Sequence, residues 1–200
     1  MRRGFVPIFI KVISDSGVIK AAIIKKAAEE ISEGTSIFFA FKIPFPSIMI
    51  ALPFTLNIAV DNLCKNEFDY YRDKQEPHPL FIEHNIDAVP FKHKNIDIWR
   101  SNFKGIRYKS IEHNYDFGGA VDDIWQKRNG ELIIVDVKAT SKNNFDWCET
   151  FNKYDYPKAY KRQLEMYQWL FRKNGFEVSS ESYLVYYNGK KNEPMFNQRL

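Results

Sequence analysis

The feature that most constrains the fold is an uninterrupted apolar run that ends in two charged residues. Residues 132–135 read Leu-Ile-Ile-Val, and Asp136 and Lys138 follow them with one valine between. A strand that is apolar on both faces is typical of the middle of a sheet. Asp136 and Lys138 share one face of that strand, because side chains alternate along it. Burying an unpaired charge is costly, so the pattern indicates a paired, metal-bound or cleft-edge site.

A second acid, Asp122 or Asp123, lies on the preceding strand, predicted at residues 118–123, and the sequence Arg128-Asn129-Gly130 between the two strands predicts a hairpin turn. A two-residue loop places Asp123 opposite Asp136. A three-residue loop, with its glycine in the left-handed conformation, places Asp122 there instead. Both registers bring two carboxylates and one lysine to one patch. Such a patch suits a divalent cation with oxygen ligands, beside an amine that orients water.

A helix follows in the sequence. Residues 155–157, Asp-Tyr-Pro, form its predicted start, and Gly175 is its stop signal after two basic residues. Gln163 and Tyr167 lie four residues apart and are therefore neighbours on the helix surface. An apolar stripe at helical spacing predicts the face that packs on the sheet; it consists of Tyr160, Leu164, Tyr167 and Phe171.

Taken in order, these motifs resemble the RecB-like branch of the PD-(D/E)XK nuclease superfamily, which includes CRISPR-associated RecB-like exonucleases. Residues 119–122 are similar to the Gly-x-x-Asp strand of that family, and residues 136–138 to its Asp-x-Lys motif. Gln163 and Tyr167 match the helical Gln-x-x-x-Tyr motif. The resemblance covers about residues 60–188, with each motif on the expected type of element.

The resemblance implies an α/β fold with the PD-(D/E)XK nuclease core, a mixed central sheet flanked by helices in the order helix, three strands, helix, strand. A helix is predicted from Leu56 up to the prolines of residues 76–79. Strands are predicted at residues 105–112 and 182–187 in addition to those of the motifs. The nuclease-like domain is predicted to span residues 55–200.

The resemblance also implies a function: a Mg²⁺-dependent deoxyribonuclease, exonuclease-like, that hydrolyses phosphodiester bonds in DNA repair, recombination or defence. Asp122, Asp136 and Lys138 would be catalytic, with Asp122 and Asp136 as the metal ligands and Mn²⁺ as the alternative cation. Gln163 and Tyr167 would bind substrate.

Several alternatives stay open. The first is a non-cleaving nucleic-acid-binding module on the same fold, and another is a structural ion pair between Asp136 and Lys138. Relatives place an upstream metal ligand before the motifs; Glu67 and His84 are candidates, and neither is assigned. The sequence does not decide whether the substrate is DNA or RNA, or whether it is single-stranded or double-stranded. It also leaves open whether cutting is directed to ends or occurs internally.

The cysteine content and the net charge limit which cofactor, cellular location and partners are expected. Cys64 and Cys148 are the only cysteines, so the chain has no iron-sulfur cluster of its own and a cytoplasmic, reducing location is expected. The net charge of +4 favours an anionic partner, here DNA, with a helicase or other DNA-processing protein as a further partner. A basic rim is predicted near the acids, formed by Lys138, Lys142, Lys153, Lys158, Lys161 and Arg162. Trp147 and Tyr160 are candidates for base stacking, although most aromatic residues are expected in the core.

Residues 1–54 are a poorly defined N-terminal extension in this interpretation. Residues 14–16, Ser-Asp-Ser, followed by apolar positions through Ile31 predict an amphipathic helix. The apolar residues 36–54 contain one lysine and three prolines, which makes a membrane-spanning helix unfavourable. We expect this stretch to pack as loop against the nuclease core, with no membrane partner.

Overall fold

The computed structural model describes residues 8–14, 55–111, 115–140 and 156–188. The helices of these residues are α1 (Thr55–Lys74), α2 (Pro79–Glu83), α3 (Ile96–Trp99) and α4 (Tyr156–Lys173). The strands are β1 (Ile8–Ser14), β2 (Ala88–Pro90), β3 (Ile106–Ser110), β4 (Tyr115–Gly119), β5 (Asp123–Lys127), β6 (Leu132–Thr140) and β7 (Val178–Asn188).

A five-stranded mixed sheet forms the centre, in the order β1-β7-β6-β5-β2. β6 and β7 are parallel, because the connection through α4 brings the chain back to run in the same direction. The other neighbouring strands of this sheet are antiparallel. β3 and β4 form a separate antiparallel ribbon. The mixed sheet with flanking helices confirms the predicted α/β fold class.

β6 lies between two hydrophobic clusters, which explains why its sequence is apolar on both faces. Leu132 and Ile134 point to the side of α4, where they join Leu164 in one cluster. Ile133 and Val135 point to the opposite side and join a cluster that includes residues of α1 and α2. All four residues of the apolar run are buried. The alternation continues, so Asp136 and Lys138 are on the α4 side of the sheet.

The strand that carries the Gly-x-x-Asp motif differs from the prediction. The sequence pattern indicates one strand through residues 118–123, whereas β4 ends at Gly119 and β5 begins at Asp123. Between them the chain leaves the ribbon and enters the central sheet. The amide of Val121 donates to the carbonyl of Trp99 (3.1 Å), outside either sheet. Asp122 therefore sits at the crossing between the two sheets.

The predicted strands at 105–112 and 182–187 correspond to β3 and β7, and the predicted helix before Gly175 to α4. β1 pairs with β7 over its whole length, from Ile8 opposite Tyr187 to Ser14 opposite Glu181. The proposed domain boundary at residue 54 stays a prediction, with one strand from before it paired into the sheet. Most of the predicted amphipathic helix and the apolar loop lie outside the described residues. None of the described helices combines the length and apolarity that crossing a membrane requires.

Candidate active site

The β5–β6 hairpin sets which aspartate faces Asp136. Asp123 pairs with Val135, and the amide of Lys127 donates to the carbonyl of Glu131 (2.9 Å), which leaves a three-residue loop. Gly130 in that loop has φ +92°, a conformation that favours glycine. Of the two registers that the sequence left open, this is the one that places Asp122 opposite Asp136.

Asp136 and Lys138 lie in the middle and second half of β6, and Asp122 reaches them from the segment between β4 and β5. The amide N–H of Val137 donates to Asp122 Oδ2 at 2.7 Å. Lys138 Nζ lies 2.5 Å from Asp136 Oδ2. Asp136 is only 1 % exposed, while Asp122 is half-buried and reaches the surface. The site is thus a buried ion pair with a second carboxylate at its opening.

Burial and mutual repulsion control the charges of this cluster. Burial raises the pKa of Asp136 to about 7, with the charge of Asp122 adding to the effect and Lys138 opposing it. Burial also disfavours the charged form of Lys138, but Asp136 and Asp122 outweigh it, so the pKa of this lysine is raised. The ammonium is therefore charged at neutral pH, whereas Asp136 is near its titration point.

Lys138 has two further neighbours that fix the direction of its side chain. Its Nζ lies 4.8 Å from the centre of the Tyr160 ring, a cation–π distance. It is also 3.4 Å from the carbonyl oxygen of Val137. Tyr160, which the sequence suggested for base stacking, is thus next to the lysine from the first turns of α4.

Gln163 and Tyr167 complete the cluster from α4. Gln163 Nε2 donates to the Tyr167 hydroxyl at 2.9 Å. The Tyr167 ring lies against Gly119, where an added Cβ would be 2.5 Å from Tyr167 Cε1. Burial raises the pKa of Tyr167 to about 12, so its hydroxyl stays protonated. Glycine at position 119 is therefore required for the close approach of α4 to the strand that leads to Asp122.

The comparisons with known proteins bear on this arrangement. A family model for the PD-(D/E)XK nuclease superfamily matches residues 56–199. The chain belongs to the PD-(D/E)XK nuclease superfamily. Neither the curated proteins nor the solved structures contain a match. Members of this superfamily are generally nucleases that act on nucleic acid and typically use divalent metal ions. The family that the sequence motifs resemble is thus confirmed; the RecB-like branch stays a prediction.

In this PD-(D/E)XK protein Asp123, which directly follows the Gly-x-x-Asp motif, lies on the opposite side of the sheet from Asp136. Asp123 points to the α1 side of the sheet and pairs with the guanidinium of Arg72. It also accepts the amide of Ile124 at 2.7 Å. Arg72 is 4 % exposed and donates through Nε to the carbonyl of Phe91 (2.8 Å). From the sequence alone an arginine on this helix would be expected at the surface; Arg72 is buried instead, because a buried carboxylate compensates its charge.

Neither candidate for the upstream ligand joins Asp122 and Asp136. Glu67 has a side chain 52 % exposed, with Oε1 3.4 Å from Nε2 of the buried His78. His84 is exposed at the end of α2. Across residues 55–111, 115–140 and 156–188, no three His, Cys, Asp or Glu side chains form a group that could hold a metal ion. The carboxylate donors brought together are thus the two acids of the PD-(D/E)XK motifs.

The predicted basic rim is only partly within the described residues. Lys161 lies 3.8 Å from the buried Glu165, one turn along α4, and Arg162 is exposed beside Gln163. Three rim residues lie outside the described residues or have side chains that do: Lys142, Lys153 and Lys158. Trp147, the other candidate for base stacking, also lies outside the described residues.

Proposed function

We propose that this protein is a metal-dependent deoxyribonuclease that hydrolyses phosphodiester bonds. One observation carries the proposal: Asp122, Asp136 and Lys138 converge on the second half of β6, with Lys138 Nζ 2.5 Å from Asp136 Oδ2 and Asp122 bonded to the amide of Val137 between them. A charged lysine beside two carboxylates, one of which reaches the surface, is suited to metal-assisted attack of water on a phosphate. Membership of the nuclease superfamily supports the same chemistry.

The donor set fits a hard divalent cation. Asp122 and Asp136 present carboxylate oxygens toward one patch, and their repulsion contributes to the raised pKa of Asp136. A cation relieves such repulsion by favouring both ionised forms. We assign Asp122, Asp136 and the carbonyl of Val137 as ligands of Mg²⁺, with Mn²⁺ as the alternative. When bound, the cation would polarise the phosphate and lower the pKa of the attacking water.

Lys138 orients the water and stabilises the negative charge that develops on the phosphate. An ammonium group has three donors, and here it is directed by Asp136, the carbonyl of Val137 and the ring of Tyr160. Such prior orientation is the main source of electrostatic stabilisation in enzymes, because little rearrangement is needed during the reaction.

Gln163 and Tyr167 position the substrate in this proposal. One N–H of Gln163 bonds to the Tyr167 hydroxyl. The amide has a second N–H and a carbonyl, which are suited to bonding a phosphate or a base without adding charge. Tyr167, packed on Gly119, fixes Gln163 relative to Asp122.

The finer parts of the proposal are supported by the motif spacing alone. The order Gly-x-x-Asp, Asp-x-Lys, Gln-x-x-x-Tyr favours a RecB-like, exonuclease-like enzyme that acts in DNA repair, recombination or defence, with a helicase or related protein as partner. Two cysteines favour a member without an iron-sulfur cluster and a cytoplasmic location.

The test is cleavage of labelled single-stranded DNA, duplex DNA and RNA with Mg²⁺, with Mn²⁺ and with EDTA. The native chain is compared with Asp136→Asn and Lys138→Gln, and with the matched surface changes Glu177→Gln and Lys94→Gln as controls. We expect metal-dependent cleavage of DNA that is lost in the first two variants and kept in the controls. Cleavage retained in Lys138→Gln would contradict the site. Tight binding of DNA by the native chain without cleavage on any substrate would favour the non-cleaving module.

A further inference from the structure

A tight turn after α3 lies directly against the strand that leads to Asp122. The carbonyl of Trp99, at the end of α3, accepts the amide of Val121 at 3.1 Å. At the other end of the turn, Gly105 approaches Gly119 so closely that an added Cβ would overlap the Gly119 carbonyl. The turn, residues 101–105, is therefore anchored to residues 119–121, which are next to the candidate active site.

The turn is held by its own hydrogen bonds as well. The amides of Lys104 and Gly105 both donate to the carbonyl of Ser101, at 3.1 and 2.8 Å. Gly105 has φ +60°, so the chain reverses at a residue that tolerates this conformation. Phe103 stands at the centre of the turn and is 91 % exposed.

An exposed phenyl ring is an unusual choice for this position. The central residues of tight turns are mostly Gly, Asn, Asp, Ser or Pro, for reasons of backbone conformation and solvation. Places where a sequence departs from such local rules are often functional sites. Single exposed apolar residues are also ordinary on protein surfaces, and Ile111, 92 % exposed beyond the other end of β3, is one for comparison. Phe103 differs from it because its turn is anchored to residues 119–121, which lead to Asp122, and because Asn102 and Lys104 on either side are exposed.

We propose that Phe103 is a stacking platform for an unpaired base of the nucleic acid, next to the phosphate that is cleaved. This inference rests on the proposed function and adds the substrate class: a single strand or a frayed end. Every base presents a flat face to an aromatic ring, so stacking holds a strand without reading its sequence. Lys104 supplies a charge for the phosphate adjoining that base.

Charge and shape favour this occupant over a duplex interior or a protein. The bases inside a duplex are stacked on each other and offer no free face except at the ends. A single ring between a polar and a cationic residue is a small apolar surface, whereas protein interfaces need a larger buried area. The ring and the lysine together match one nucleotide, with its base and its phosphate.

Binding of labelled oligodeoxythymidine, followed by fluorescence anisotropy in EDTA, tests the inference without interference from cleavage. The variants are Phe103→Ala, Phe103→Leu and Phe103→Trp, and Ile111→Ala is the matched control. Both substituted positions, 103 and 111, are on the surface, so folding is retained. We expect Phe103→Ala and Phe103→Leu to bind about fivefold or more weakly, since both lose the aromatic face. Phe103→Trp should bind as tightly as the native chain, with tryptophan fluorescence quenched on binding, and Ile111→Ala should be unchanged.

Three outcomes would overturn the stacking role. Native-like binding by Phe103→Leu would mean that any apolar side chain serves. If Phe103→Ala weakened binding to a long circular duplex, which has no ends, as much as binding to the single strand, the assignment to single strands would be wrong. A change of oligomeric state in Phe103→Ala, seen by size-exclusion chromatography, would make the turn a protein interface instead.

Cleavage separates failure of this inference from failure of the proposed function. If the native chain cuts DNA and Phe103→Ala cuts it with unchanged KM, only the stacking role falls. If the native chain neither binds nor cuts any nucleic acid, the nuclease proposal falls and the stacking role with it. A raised KM for single-stranded substrate with unchanged kcat in Phe103→Ala would support both.

Discussion

The backbone amide of Val137 donates a 2.7 Å hydrogen bond to the side chain of Asp122, which ties the acid of one strand to the strand that carries Asp136 and Lys138. Asp122 lies where the chain passes from the β3–β4 ribbon to the central sheet. It belongs to neither β4 nor β5, so strand pairing does not fix its position. Asp122 is thereby held relative to Asp136 before any ligand arrives. Such preorganisation is what a metal site requires of its ligands.

Asp122→Asn is expected to reduce cleavage, whereas Asp123→Asn is expected to reduce stability. Asp122→Asn keeps an acceptor for the Val137 amide but loses the charge of a proposed metal ligand, so cleavage should fall at least about 100-fold with little loss of stability. Asp123→Asn leaves the buried Arg72 guanidinium with only the partly exposed Asp69 as counter-charge and should lower the free energy of unfolding by about 3 kcal/mol. Urea denaturation and cleavage rates measure the two effects. Native stability in Asp123→Asn would contradict the buried ion pair.

Gly119→Ala should damage the site through Tyr167. The added Cβ would lie 2.5 Å from Tyr167 Cε1, so the ring and Gln163 must move, at a cost of roughly 1–3 kcal/mol in stability. We expect a lower kcat and a lower melting temperature. Gly118→Ala is the matched control, because its nearest neighbour is the flexible side chain of Arg107. Equal effects of the two changes would show that the packing of Tyr167 is not the cause.

The raised pKa of Asp136 predicts opposite pH trends for stability and metal binding. Without metal the folded state binds the proton more tightly than the unfolded state does, since the pKa rises from 3.8 to about 7. The contribution of this group to stability is therefore greatest below pH 3.8 and is lost as the pH rises toward 7. Mg²⁺ needs the ionised form, so its affinity should increase over the same range.

Thermal denaturation in EDTA at about pH 5 and about pH 7.5 checks this trend, with Asp136→Asn as the comparison. We expect the stability of the variant relative to the native chain to increase from the lower to the higher pH. In a parallel series with Mg²⁺ in place of EDTA, the stabilisation by Mg²⁺ should be lost in the variant. A difference between the two proteins that is the same at both pH values would contradict the assignment.

Tyr160 should affect the chemical step through Lys138. Tyr160→Phe keeps the ring beneath the ammonium, whereas Tyr160→Leu removes it; a cation–π contact contributes about 0.5–2 kcal/mol. We expect a near-native cleavage rate for Tyr160→Phe and a rate about fivefold lower for Tyr160→Leu, with similar binding of DNA. Single-turnover cleavage measures the step directly. Equal rates for the two variants would exclude a role of the ring.

The sequence predicted the central strand and its helix because their patterns are local. The four apolar residues before Asp136 indicate a strand that is buried on both faces. The spacing of Tyr160, Leu164 and Phe171 indicates a helix with one apolar face. The register of the hairpin stayed open, because Asn129-Gly130 suits loops of two and of three residues. Tertiary packing decides it, since only one register puts Ile124 in the core on the α4 side.

Contacts between distant segments could not be read from the sequence. A buried Arg72 has the same local pattern as an exposed one, and its partner Asp123 is 51 positions away in the chain. The crossing at Asp122 likewise depends on Trp99, which accepts the amide of Val121 from another part of the chain. Such pairings depend on the fold as a whole, and no periodicity reports them.

The pairing of β1 with β7 has a practical consequence for anyone preparing the family-matched region alone. A fragment that starts at residue 55 would expose the backbone donors and acceptors of β7, an eleven-residue strand whose neighbour on that side has been removed. Open strand edges of this length recruit other strands, including those of identical molecules. Self-association of such a fragment would then report the missing strand and not a natural oligomer.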